Sequence, residues 1–147
     1  RYLTAWSEGA LVGALPLYAK GHSYGEYVFD WGWAEAYRRH GRRYYPKLVC
    51  AIPFTPLSGP RLLCDHPAVK GFLVDAALGI VAEGDASSLH ILFIEGDDRA
   101  ACERPGIIAR TGVQFQWPPA LCAVLPESAV ETVARVRVPI KRSPACS

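Results

Sequence analysis

The chain has 147 residues, half of them hydrophobic, and a formal net charge of +2 from 16 basic and 14 acidic side chains. This length fits one domain with its own core and is too short for two. The balanced charge does not indicate a polyanion-binding protein, and no apolar run reaches the ~20 residues of a membrane-spanning helix. Five scattered cysteines without a CxxC pair favour free thiols and a cytoplasmic location over a disulfide framework.

The N-terminal part is predicted to open with a β-hairpin. Alternating β-formers over Tyr2–Ser7 and a second run over Leu11–Lys20 flank the turn sequence SEGA. Pro16 cannot donate to a strand ladder, so it predicts an edge, a bulge or an early end to pairing. An insert over residues 21–46 follows, rich in aromatic and arginine side chains, and its WAEAYRRH segment predicts a short helix.

The middle of the chain alternates between strand and helix patterns. Lys47–Phe54 predicts a strand, and an amphipathic helix is expected to begin at Pro67 with Phe72 on its apolar stripe. Ser88–Glu95 is almost continuously apolar, which predicts a central strand covered on both faces. The segment DDRAACERPG then predicts a short helix and turn, and Ile107–Trp117 a further strand.

This order of elements predicts an α/β fold class, with an α+β-type mixed sheet flanked by helices. The leading hairpin is antiparallel, and a βαβαβ-like half follows it. After residue 117 the character of the sequence changes. Residues 118–147 contain five prolines, a candidate helix and a short alternating piece with no clear partner, and the last ~10 residues are expected to form a mobile tail.

Three stretches carry a resemblance to a known family: the run from HSYGEYVFDW to SGPRLL, then SSLHILF, then RTGVQFQW. With these, residues 1–117 resemble the FemAB-like group of bacterial peptidoglycan biosynthesis or recognition proteins, within the GCN5-related N-acetyltransferase (GNAT) superfamily. Members usually carry two GNAT-like lobes, with the acyl-transfer site at or between them. The resemblance implies a first lobe that is incomplete at its N-terminus and lacks its second lobe. Residues 118–147 depart from the family pattern, and we interpret them as a divergent tail that is either native or frameshifted.

The resemblance implies that the full-length protein is an N-acyltransferase. It would transfer an acyl or aminoacyl group to an amine acceptor, for example a peptidoglycan precursor, and the chain alone is expected to show little turnover. GNAT lobes bind the coenzyme A pyrophosphate through a glycine-patterned loop before a helix. The matching stretch LLCDHPAVKG lacks those glycines and carries Asp65. No cofactor is therefore expected in this lobe, which leaves acetyl-CoA or aminoacyl-tRNA to the full-length enzyme.

The first candidate site lies in HSYGEYVFDWGW. Glu26 and Asp30 are the candidate catalytic residues, with Glu26 as general base, because acyl transfer to an amine needs a group that accepts its proton. Tyr24 and Trp31 are candidate substrate-binding residues, since aromatic faces stack on sugars or peptides. The simpler interpretation stays open, in which the aromatic side chains pack on the sheet and the polar atoms face water.

The second candidate site is the proline-rich segment PFTPLSGP and the arginine after it. Thr55, Ser58 and Arg61 would face a ligand at the open end of the sheet, or the segment is only a rigid turn. His90 and Gln114 complete the candidate substrate-binding residues, although a lone histidine in an apolar strand is more often a core residue. No metal-binding motif is present.

The same sequence also permits other functions. The arginines of YRRHGRRYY could meet nucleic acid by charge and stacking, but one short run usually marks a solvated face, so nucleic acid is not expected as a partner. A thiol nucleophile is not expected either, because no base is readable beside Cys50 or Cys64. The alternative function is a non-catalytic module that binds a peptidoglycan precursor or a protein partner. A third alternative is a structural half whose exposed sheet edge causes self-association.

Overall fold

The computed structural model describes residues 2–113 and 130–135, a mixed α+β arrangement that confirms the predicted fold class. The three described helices are α1 (Trp31–Arg39), α2 (Pro67–Ala82) and α3 (Gly96–Cys102). The described strands are β1 (Tyr2–Ser7), β2 (Ala10–Pro16), β3 (Tyr18–Lys20), β4 (Lys47–Cys50), β5 (Leu89–Ile91), β6 (Ile108–Val113) and β7 (Val130–Arg135).

The predicted β-hairpin is confirmed, because β1 and β2 pair antiparallel. Glu8 and Gly9 form the turn with φ values of 50° and 81°. Positive φ at both central residues is the type I′ geometry that matches the twist of a two-residue hairpin. The second predicted strand is split, since pairing with β1 ends at Pro16 and β3 joins another sheet after Leu17. Pro16 therefore ends the pairing early, which is one of the outcomes that its missing donor predicts.

The mixed sheet has the order β3-β4-β5, with β3 antiparallel and β5 parallel to β4. Both strands of the parallel pair are buried along their whole length, as parallel strands usually are. β4, and not the segment predicted as central, is the middle strand of the three. β4 ends at Cys50, before Pro53, which has no N–H to donate, and Phe54, which adopts a positive φ. Phe93 also adopts a positive φ, two residues after the end of β5.

Helix α2 begins where the sequence predicts it. The His66 ring Nδ1 accepts a hydrogen bond of 3.2 Å from the backbone N–H of Ala68, which caps the first turn. The predicted apolar stripe is partly wrong: the side chain of Phe72 is 62% exposed, whereas Val74 and Lys70 are buried. α2 is apolar nearly all round, so spacing alone does not determine which face is buried.

The last two described strands form a separate antiparallel pair, β6 with β7. The second half of the predicted βαβαβ unit is therefore wrong, because β6 pairs outside the mixed sheet. The segment after residue 117 has a clear strand partner where none was predicted, and β7 also lies beside β5. The predicted end of the strand, over residues 114–117, lies outside the described residues, as does the predicted mobile tail.

Two apolar clusters lie on the two sides of the mixed sheet. Leu48 and Cys50 of β4 belong to the main core, which also takes in the hairpin, α2 and α3. Val49 belongs to a second cluster, where Val28 of the insert packs beside it. Because successive strand residues point to opposite faces, the insert covers the face of the sheet opposite α2.

Candidate functional site

A buried charged cluster lies where the insert meets the start of β4. Lys47 Nζ donates hydrogen bonds of 2.6 Å to Glu26 Oε2, 2.6 Å to Asp30 Oδ2 and 2.8 Å to Ser23 Oγ. All four residues are buried, and buried charges persist only when they are paired. The structure thus brings together the two predicted catalytic carboxylates, around a lysine that the sequence did not single out.

A second ring of polar groups surrounds this cluster. Lys20 Nζ lies 3.1 Å from Glu26 Oε1, and the Tyr44 hydroxyl donates a 2.6 Å hydrogen bond to Asp30 Oδ2. The hydroxyls of Tyr45 and Ser23 lie 2.8 Å apart. Side chains from the insert, β3 and β4 therefore share one hydrogen-bonded network.

The network sets the protonation state of Asp30. Burial alone would raise the pKa of this carboxyl, but hydrogen bonds from Lys47, Ser23 and Tyr44 outweigh burial and lower the pKa to about 2. Asp30 is therefore ionised at neutral pH and is a weak proton acceptor there. Burial also raises the pKa of the Tyr45 hydroxyl above its usual range, so Tyr45 stays protonated.

One cavity, of about 340 Å³, lies between the insert and the proline-rich loop. We name it the carboxylate cavity, because Glu26 lines it together with Lys20 and Thr55, among apolar side chains that include Phe54 and Phe93. Gly25 closes one wall at a φ of +77°, and a Cβ there would lie 2.4 Å from the Phe54 ring. The positive φ and the close approach both favour glycine at this point, where the insert contacts the loop.

A second cavity, of about 550 Å³, lies beside the network. We name it the arginine cavity; its lining includes Tyr24, Trp31, Tyr45, Arg38, Arg42 and Arg43. Arg38 is held by Glu35 at 2.7 Å, whereas Arg42 and Arg43 are exposed and make no ion pair with another described residue. Ser23 and Tyr45 of the network line this cavity, Glu26 and Lys20 line the other, and His22 lines both, so the two cavities adjoin.

The proline-rich loop is held by Arg61 and Asp98. Arg61 is 2% exposed, and its guanidinium donates to the backbone carbonyls of Leu92, Leu57 and Pro60. The Asp98 carboxylate accepts hydrogen bonds from the backbone N–H groups of Arg61 at 2.6 Å and Leu62 at 2.9 Å. In the structure, the guanidinium that was predicted to contact substrate therefore binds carbonyls of the loop and the Leu92 carbonyl after β5.

The remaining predicted substrate-binding residues lie in different places. Thr55 lines the carboxylate cavity, and its hydroxyl donates to the Pro53 carbonyl at 3.1 Å. Ser58 is half-buried and lines neither of the two cavities. His90 is buried with its Nε2 2.8 Å from Ser88 Oγ, and Gln114 lies outside the described residues.

Sequence reasoning missed Lys47 and Asp98. A charged residue at the head of the apolar strand KLVC was the available signal for Lys47, since a lysine in a buried strand needs buried partners. Asp98 carried no such signal, because acidic residues in the first turn of a helix are ordinarily explained by the helix dipole.

Three further features of the described residues concern thiol, metal and membrane chemistry. Burial raises the pKa of Cys50 to about 12 and of Cys102 to about 11, so neither is a thiolate at neutral pH. Within the described ranges, no three His, Cys, Asp or Glu side chains gather as a metal ion would require. None of the helices in residues 2–113 is long and apolar enough to cross a membrane.

Comparison with known proteins gives one match. The model of a FemAB-like family, described as peptidoglycan biosynthesis/recognition, matches residues 1–123. No curated protein and no solved structure matches the chain.

Proposed function

The chain belongs to the FemAB-like family of peptidoglycan biosynthesis/recognition proteins, and from this membership we propose that it is the acceptor-binding lobe of an N-acyltransferase. The enzyme would transfer an acyl or aminoacyl group to an amine of a peptidoglycan precursor. In this proposal the lobe has a GNAT-like origin and works with a second lobe, which binds the acyl donor.

The carboxylate cavity carries this proposal. Glu26 is a buried carboxylate in the wall of a largely apolar cavity, and Lys47 holds its Oε2 at 2.6 Å. Lys20, which lines the same cavity, sits 3.1 Å from Oε1 with its side chain 20% exposed. We propose that the acceptor amine takes the place of the Lys20 ammonium at Oε1. Glu26 would then accept one amine proton as the new N–C bond forms and the bond from the acyl group to its donor breaks.

The arginine cavity supports binding of the rest of such an acceptor. Peptidoglycan precursors combine sugar rings with carboxylates and phosphates. Trp31 and Tyr24 offer exposed aromatic faces for ring stacking. Arg42 and Arg43 offer guanidinium groups that bind carboxylate or phosphate through two hydrogen bonds each.

The donor is proposed to bind outside this lobe. The N-terminus of α2 is the place where a GNAT lobe would hold the coenzyme A phosphates. Here His66 occupies the Ala68 N–H, and Asp65 places a negative charge beside it. We therefore expect little release of thiol from acetyl-CoA by the chain alone; robust turnover in a coupled assay would contradict this part of the proposal. We also infer a cytoplasmic location, since the described cysteines are free.

A second candidate function is recognition without catalysis. The ion pairs of the network favour it, because both carboxylates are already engaged. Lysines contact both oxygens of Glu26, and the pKa of Asp30 is about 2, so Asp30 is a weak base. In this case the same two cavities bind the precursor, but the amine needs no contact with Glu26.

One binding experiment separates the two candidates. A soluble muropeptide with a free amine is titrated against the chain, followed by tryptophan fluorescence, beside the same muropeptide with its amine acetylated. For the acyltransferase lobe we expect a preference for the free amine that Glu26→Gln removes and Lys20→Met strengthens, because Lys20 competes for Oε1. Glu103→Gln is the matched control, because Glu103 is an exposed carboxylate in an ion pair with Arg99 and lines neither cavity.

The outcomes are distinct. Equal binding of both muropeptides, unchanged by Glu26→Gln, would favour recognition and count against the acyltransferase lobe. Binding of neither muropeptide would contradict both candidates. Circular dichroism of each variant checks that the fold is retained.

A further inference from the structure

The insert presents an exposed surface that overlaps the lining of the arginine cavity. We name it the aromatic–arginine surface, and it consists of Phe29, Trp31, Trp33, Arg38, Arg42 and Arg43. Phe29 is 79%, Trp31 55% and Trp33 41% exposed, and the Phe29 and Trp31 rings lie 5.5 Å apart. Large aromatic side chains clustered in contact with water usually mark an interaction site.

The tryptophan rings and the arginines lie close together, because they line the same cavities. Trp31 lines the arginine cavity with Arg38, Arg42 and Arg43. Trp33 lines a neighbouring cavity of about 480 Å³, and Arg42 borders this one as well. The surface is therefore continuous from Phe29, through both sides of α1, to Arg42 and Arg43.

The charge of this surface is strongly positive. The insert over residues 21–46 contains four arginines and three acidic residues. Two of these acids, Glu26 and Asp30, are buried and form ion pairs with Lys47. Glu35 alone of the three acids reaches the surface, where it pairs with Arg38 and Arg39. Arg42 and Arg43 are left facing solvent beside the tryptophans.

We propose that this surface docks the protein on an anionic lipid bilayer. Tryptophan and phenylalanine side chains partition into the headgroup region. Each basic residue near an anionic leaflet adds about 1 kcal/mol of attraction. The inference does not rest on the proposed acyl transfer, because it does not use Glu26 or Lys20. It shares Trp31, Arg42 and Arg43 with the proposed acceptor site, and the test below therefore contains no precursor.

Single-stranded nucleic acid is the other partner that aromatic and basic side chains could accept, and the geometry favours it less. Base stacking uses rings set along a groove that follows the backbone. Here the Phe29 and Trp31 planes are inclined by 58°, and Phe29 projects outward with most of its ring in solvent. Such projecting rings suit insertion between lipid headgroups better than stacking between bases.

The test uses the whole chain and vesicles that contain no peptidoglycan precursor. Flotation is measured with vesicles of phosphatidylglycerol mixed with phosphatidylcholine, and with pure phosphatidylcholine vesicles. We expect binding to the anionic vesicles only, released by high salt, with a blue shift of tryptophan emission. Arg42→Ala/Arg43→Ala should lower the partition coefficient by roughly 30-fold, and Trp31→Ala should lower it several-fold without loss of fold by circular dichroism.

Matched controls lie elsewhere on the chain. Arg99→Ala/Arg110→Ala removes two other exposed arginines, and Trp6→Ala removes another exposed tryptophan, on β1. These variants should bind vesicles like the unmodified chain. No binding to anionic vesicles, or an equal loss in the control variants, overturns the proposal. A single-stranded RNA oligonucleotide that binds through Arg42 and Arg43, with no vesicle binding, assigns the surface to nucleic acid and also overturns it.

Discussion

Replacement of Lys47 by methionine tests whether the charged network holds the insert on the sheet. Lys47 is fully buried and donates three hydrogen bonds of 2.6–2.8 Å, two of them to carboxylates. Lys47→Met leaves Glu26 and Asp30 buried without that ammonium. Breaking a buried ion pair from one side costs about 3–5 kcal/mol, against a total of roughly 5–15 kcal/mol for a domain. We therefore expect the variant to lose a large part of its stability.

Urea unfolding followed by far-UV circular dichroism measures this loss. The control Glu35→Gln breaks an exposed ion pair and should leave the midpoint unchanged. The triple variant Lys47→Met/Glu26→Gln/Asp30→Asn also neutralises the two carboxylates that Lys47 pairs with. It should recover part of the lost stability, which is a coupling of the three sites. A Lys47→Met protein within about 1 kcal/mol of the unmodified chain would refute the reasoning, because the penalty for stranded charges is larger than this.

Three further predictions follow from single contacts. Although burial opposes it, hydrogen bonds from Lys47, Ser23 and Tyr44 lower the pKa of Asp30 from 3.8 to about 2. Ionised Asp30 thus stabilises the fold above the pKa of the unfolded state. About 2 kcal/mol of unfolding free energy should be lost as pH falls from about 4 to about 2, measured by urea unfolding at each pH. If Asp30→Asn loses as much stability over this pH range as the unmodified chain, the prediction is contradicted. Asp98→Ala should cost about 3 kcal/mol in urea unfolding because it strands buried donors, and the exposed Asp97→Ala should not. Gly25→Ala should displace the Phe54 ring, which lines the carboxylate cavity, and weaken muropeptide binding. Gly32→Ala, in open space on α1, should raise the thermal midpoint and leave binding unchanged; equal muropeptide affinities of the two variants would argue against the contact.

The local elements were predictable because local signals specify them. The SEGA turn and the His66-Pro67 helix start both depend on residues within one or two turns of chain, and both form as predicted. Strand lengths were less predictable, since the positive φ of Phe54 and Phe93 leaves no mark in a run of apolar residues. The partner of β6 was not predictable either, because antiparallel pairing with β7 joins segments that share no local pattern.

The candidate site was predictable in composition but not in arrangement. Glu26 and Asp30 were singled out as a pair of carboxylates among aromatics, and the structure places them on one ammonium group. What the pattern could not supply was Lys47, which lies 17 residues from Asp30 and 21 from Glu26 in the chain. Arg61 was singled out, but its partners were not predictable. In the sequence its guanidinium looks available for a ligand beside a proline turn, whereas in the structure backbone carbonyls that need donors bind it.

The position of the buried network has a consequence beyond stability. A buried ion pair is often no more stabilising than apolar side chains of the same volume, so packing alone gives little reason to bury Glu26, Asp30 and Lys47 together. Both faces of this network open onto cavities, through Lys20 and Glu26 on one side and Ser23 and Tyr45 on the other. A ligand that displaces Lys20 from Glu26 would alter the charge balance felt by Lys47, whose next contact, Ser23, lines the arginine cavity. Binding in one cavity should therefore change the affinity of the other. The sign of this coupling depends on whether the ligand brings a positive charge to Glu26 in place of the Lys20 ammonium.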